Sequence, residues 1–70
     1  MEKFCERLIS LRKLNNLSQS TVAQAVNIVL RTYQRYESNE RIPDIEVASA
    51  LADFFGVSLD FLCGRTDDKK

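Results

Sequence analysis

Histidine is absent from these 70 residues, proline occurs once, and glycine and cysteine occur twice each. Each scarcity closes off a class of function. Without histidine, the common zinc arrangements cannot be assembled, and no imidazole stands ready as a base for a nucleophile. Two isolated glycines, Gly56 and Gly64, build no phosphate-cradling loop. The carboxylates are scattered along segments predicted to face solvent. An enzyme is therefore not expected, nor a cofactor, a metal or a small-molecule effector site. Cys5 and Cys63 stand at opposite ends of the chain in no C-x-x-C pair. They are read as two reduced thiols serving as small apolar side chains, rather than as a Cys5–Cys63 disulfide.

Long apolar runs are missing too. No stretch approaches the roughly 18 residues that a membrane-spanning helix needs. The opening Met-Glu-Lys-Phe-Cys-Glu-Arg holds no apolar segment of signal-peptide length. The expectation is a soluble cytoplasmic protein with no membrane partner. A single domain this small is only marginally stable, and chains below roughly 70–80 residues usually add a staple or a partner.

The formal net charge is zero, but its distribution is uneven. Residues 3–36 carry six bases against one acid, and residues 37–70 carry four bases against eight acids. Such asymmetry is a hint of a polyanionic partner on one side, although charges that merely coat a surface would give the same count.

The apolar spacing is helical throughout. Phe4, Leu8 and Leu11 fall on one stripe, which Leu14 extends, and Asn15-Asn16 breaks the pattern. Ser18 is a suitable N-cap for a second helix over about 19–26, with Val22, Ala23 and Val26 turned inward. Asn27 lies where the chain must turn, and asparagine tolerates a left-handed backbone. A third helix fits about 30–37, burying Tyr33 and Tyr36. Ser38 to Arg41 form a loop. Pro43 and Asp44 open a fourth helix, with Ile45, Ala48, Leu51, Ala52 and Phe55 as its stripe and Gly56 as its stop. Ser58 caps a last helix, Leu59 to Cys63, and Gly64 ends it. The predicted fold is all-α: a compact bundle of five short helices in one domain, 1–66. A polar C-terminal tail, 67–70, follows, and residues from Arg65 onward are expected to fray.

Two short helices with a tight joint at Asn27 form a helix-turn-helix. The sequence here resembles the phage repressor and Cro-like (XRE-type) helix-turn-helix regulators. The matching pieces are Leu11-Arg12, Leu17-Ser18-Gln19, Val22-Ala23, Val26-Asn27-Ile28, Thr32-x-x-Arg35-Tyr36-Glu37, Pro43, and Leu51-Ala52 through Phe55-Gly56-Val57-Ser58-Leu59-Asp60. The closing Leu62-Cys63-Gly64-Arg65-Thr66-Asp67 is also similar to short bacterial members. The resemblance covers about residues 4–67. It implies a lambda-repressor-like domain that binds double-stranded DNA and regulates transcription, with its third helix in the major groove.

Roles follow from the resemblance residue by residue. Leu30, Arg31, Gln34 and Arg35 would meet the bases. An arginine suits guanine and Gln34 suits adenine, while Leu30 either touches a thymine methyl or simply packs. Gln19, Thr32, Ser38, Asn39 and Arg41 would contact phosphates, Gln19 with help from the start of its helix. Arg12 and Glu37 are implied to form a partly buried ion pair of structural value. Two positions depart from the family. Asn27 stands where glycine is common, and Val29-Leu30 replace a small polar cap and a polar reader. Apolar groups therefore sit on the face that should meet DNA.

One such domain reads few base pairs, so a homodimer on a palindromic operator is expected. The pairing surface assigned from sequence is Phe54, Leu59 and Phe61, with Cys63 nearby. Phe55 continues the inner stripe of its helix, which turns Phe54 outward. The alternative is a protein-interaction module, an antitoxin or anti-regulator, that uses the same fold without DNA.

Overall fold

The computed structural model describes residues 2–70, and side chains from Lys3 onward. Its described residues form five helices and no strand. They are α1 (Glu2–Leu14), α2 (Gln19–Ala25), α3 (Leu30–Glu37), α4 (Ile45–Phe55) and α5 (Leu59–Leu62).

Local chemistry explains where most of these helices start. Ser18, Asp44 and Ser58 each precede a helix in extended backbone. Their side-chain oxygens accept from the free N–H groups of Thr21, Val47 and Phe61 at 2.9–3.0 Å. α3 is the exception. Val29 occupies its N-cap position and offers no oxygen, so this end has no side-chain cap. Pro43 lies one residue outside the α4 cap rather than within its first turn, and is buried there.

The stops are equally local. Asn16, Asn27, Asn39 and Gly56 all adopt a left-handed backbone, the conformation that asparagine and glycine tolerate best. At Asn27 the turn closes with the N–H of Ile28 donating to Ala23 at 2.9 Å. α2 ends at Ala25 and α5 at Leu62, each one residue short of the sequence expectation, with Val26 and Cys63 as caps.

The core is a single cluster built from one stripe of each helix. Phe4, Leu8 and Leu11 of α1 meet Val22 and Ala23 of α2, Tyr33 and Tyr36 of α3, Leu51 and Ala52 of α4, and Leu62 of α5. Two residues assigned to inward stripes are exposed instead. Leu14 is 71% exposed and Ile45 is 72% exposed. Both have the right helical phase, but each sits at a helix end that overhangs the core. Ile45 instead flanks an open apolar groove with Phe4, Ile42, Pro43, Ala48, Leu59 and Cys63.

The C-terminal segment, expected from sequence to fray, folds back against α1 and the α4–α5 turn. Arg7 of α1 donates to the carbonyls of Phe61 and Thr66 and pairs with Asp67 at 2.7 Å. Its guanidinium lies 4.1 Å from the centre of the Phe61 ring. The N–H of Ser58 donates to the carbonyl of Lys69 at 2.6 Å. One arginine therefore gathers the C-terminal segment onto the first helix.

Candidate nucleic-acid interface

α2 packs on α3, and the small side chain of Ala23, 2% exposed, is buried in the core they share. Tyr33 and Tyr36 anchor the inner face of α3, at 0% and 4% exposure. The opposite face is open to solvent, with Arg31 and Gln34 exposed and Arg35 half-buried. Arg31, Gln34 and Arg35 line one open depression on it together with Ser38 and Glu40. Leu30, 39% exposed, and Val29, 67% exposed, add an apolar edge at the start of the helix. Thr32 is half-buried beside them, and Ser38, Asn39 and Arg41 are exposed in the following loop. The base-reading set assigned from sequence is thus gathered on one face.

That face is held from beneath by a buried carboxylate. Glu37 is 7% exposed. Arg12 grips it with two hydrogen bonds, Nε to Oε2 at 2.7 Å and Nη2 to Oε1 at 3.1 Å. The hydroxyl of Tyr33 also donates to Oε2. Arg12 spends a further N–H on the carbonyl of Leu17 at 3.1 Å, so α1 and the approach to α2 are tied to the end of α3. Burial alone would raise the Glu37 carboxyl, but the bonds from Arg12, Tyr33 and Gln19 outweigh it and hold the group below the ordinary glutamate value. The same pairing raises Arg12, the hydrogen bond to Glu37 outweighing burial. Burial, reinforced by the carboxylate, keeps the Tyr33 phenol protonated. No buried side-chain polar atom among the described residues lacks a partner.

Two features of the site are invisible to sequence reasoning. Gln19 does not simply face outward. Its Nε2 donates to Glu37 at 3.1 Å, and its Oε1 accepts from Gln34 Nε2 at 3.3 Å. Glu40 brings an acid to the edge of the basic depression, where the Ser38 hydroxyl donates to its carboxylate. Spacing gives no signal for either contact. Gln19 and Gln34 are 15 positions apart and meet only once the joint at Asn27 has folded.

The residues assigned to pairing differ in exposure. Phe54 is 40% exposed and stacks edge-to-face on Phe55, with ring centres 5.0 Å apart. Leu59 and Phe61 are half-buried against the core, and Phe61 lies under Arg7 and 6.0 Å from the Lys69 ammonium. Cys5 and Cys63 are half-buried thiols.

A short positioning helix, a left-handed joint and a second helix with a polar outer face define a helix-turn-helix. The chain belongs to the helix-turn-helix family, whose pattern it matches over residues 8–62. It is 40% identical over 70 residues to the cryptic phage CTXphi transcriptional repressor RstR of Vibrio cholerae, an alignment covering 97% of this chain and 62% of that protein. It is 40% identical over 65 residues to the HTH-type transcriptional regulator AnsR of Bacillus subtilis, covering 93% of this chain and 56% of that protein. The chain spans about three-fifths of the length of the curated relatives it matches. No solved structure matches it. Among its described residues no helix is long and apolar enough to cross a membrane.

Proposed function

We propose that this chain is the DNA-binding domain of a transcriptional regulator, a repressor by analogy with its phage relative, that lays α3 in the major groove of double-stranded DNA. The observation that carries the reading is the shared open face of Arg31, Gln34 and Arg35 on a helix fixed from behind by Tyr33, Tyr36 and the Glu37 network. Guanidinium groups suit the paired acceptors of guanine, and Leu30 suits a thymine methyl. Gln19, Thr32, Ser38, Asn39 and Arg41 rim that face and supply phosphate contacts. Gln19 keeps a second amide N–H for this purpose after donating to Glu37.

A neutral chain gains modest affinity from counterion release, so two copies are needed for tight and selective binding. Homodimerisation through the Phe54, Leu59 and Phe61 end would present two α3 helices to half-sites one turn, about 34 Å, apart on a palindromic operator. Such a regulator acts in the cytoplasm.

A second reading has one specific observation in its favour. Val29 and Leu30 expose apolar surface where a polar cap and reader would serve DNA better. A protein-masking module with this fold would use that edge against a partner. Selection of binding sites from random duplexes separates the two. The DNA reading predicts a palindromic consensus, with affinity for non-specific duplex falling steeply as salt rises. No enrichment and no salt-sensitive binding would overturn it in favour of the masking module.

A further inference from the structure

The buried Glu37 carboxylate accepts four hydrogen bonds, two from Arg12, one from Tyr33 and one from Gln19. Only the last comes from a side chain that also touches the outer face of α3. Its direction is dictated by chemistry. A carboxylate accepts and never donates, so Gln19 must turn its nitrogen inward, at 3.1 Å from Oε1. That turns its oxygen outward. An amide oxygen can only accept, so Gln34 must meet it with its own nitrogen, at 3.3 Å. Gln34, exposed beside Arg31 and Arg35, keeps its oxygen and one N–H for a ligand.

We propose that Gln19 is a positioning residue that passes the polarity of the buried Glu37 carboxylate to Gln34, and thereby sets which base edge Gln34 accepts. The inference rests on the DNA-reading function proposed above. An oxygen and an N–H side by side match adenine, which shows a donor at N6 and an acceptor at N7. They do not match guanine, which shows two acceptors there. Without Gln19, an exposed glutamine amide turns freely and presents either order of atoms.

Gln19→Met tests this, because methionine keeps the length and helix propensity while removing both bonds. Gln24→Met, on the exposed surface of the same helix, serves as the control. In the free protein, the two side-chain amide proton shifts of Gln34 should move toward those of an unrestrained glutamine in Gln19→Met but not in Gln24→Met. In selected binding sites, the preference for adenine over guanine at one position of each half-site should fall roughly fivefold in Gln19→Met. Helical content should stay unchanged, and loss of the phosphate contact of Gln19 should weaken binding to all duplexes alike, leaving the base preference as the readout of positioning. In a Gln34→Met background, Gln19→Met should have no further effect on base choice. Unchanged Gln34 shifts, or an unchanged base preference beside a selective wild type, would overturn the positioning role alone. A wild type that selects no sequence would overturn the DNA reading, and the base choice with it.

Discussion

α2 and α3 are tied to α1 through a buried carboxylate, whereas α5 packs on α1 and α4 on α5 mainly through apolar side chains, with Arg7 adding a hydrogen bond to the Phe61 carbonyl at the surface. At the first end, Arg12, Tyr33 and Gln19 converge on Glu37, and α3 begins without a side-chain cap. At the second, Asp44 and Ser58 cap their helices, Gly56 turns the chain, and Leu51 and Leu62 are fully buried. The contrast teaches where each kind of interaction serves. Apolar packing is non-directional and holds a fold together. Hydrogen bonds to a buried charge are directional, and here they fix the angle of one helix and the orientation of its side chains. The end proposed to read DNA therefore depends on charge state and geometry, and the far end mainly on volume.

Breaking the charged end should produce the largest effect on stability. Glu37→Ala strands Arg12, the Tyr33 hydroxyl and the Gln19 amide at once. Removing one partner of a buried pair typically costs about 3–5 kcal/mol, a large share of a small domain's total. Urea denaturation should show a much lowered midpoint. A loss no larger than that of an exposed substitution would show that the carboxylate is dispensable.

Acid should act on the same end. The Glu37 carboxyl is held below its ordinary value of 4.5 in the folded chain. A group depressed by folding adds stability above its unfolded value, and that stability is lost as pH falls through the folded value. The thermal midpoint should therefore decline as pH drops below about 4.5, and Glu37→Gln, already lacking the charge, should decline less steeply.

A smaller change sharpens the comparison from the other direction. Val29→Ser gives α3 the cap that the other internal helices have, and should add about 0.5–1 kcal/mol in the same denaturation assay. A lowered midpoint would show that the Val29 side chain stabilises the fold more than a cap at this position does. The smallest effect is expected at the tail. Asp67 is 97% exposed in its pair with Arg7, so Asp67→Asn should leave the denaturation midpoint unchanged within error.

Much of this molecule was legible in the sequence because its boundaries are set locally. Ser18, Asp44, Ser58, Asn27 and Gly56 each act within one turn of themselves, so their roles follow from residue type and position. The inward stripes followed from periodicity, except at Leu14 and Ile45. Periodicity gives the phase of a helix but not where the core beneath it ends. The outer face of α3 followed from the same phase together with the family resemblance. What escaped was long-range and polar. Nothing near Arg7 announces that it will collect the carbonyls of Phe61 and Thr66, and nothing near Gln19 announces Gln34. Tyr33 was legible as a core ring, but its hydroxyl bond to Glu37 required the fold. The acid at Glu40 was visible in the sequence only as one charge among many.

Arg31 and Arg35 are proposed to read DNA from a face that contributes little to stability. The double substitution Arg31→Ala with Arg35→Ala, measured for binding to the wild type's selected site against random duplex, tests it directly. Loss of selective binding with helical content and denaturation midpoint retained is the predicted result. Wild-type selectivity in the doubly substituted protein would contradict it.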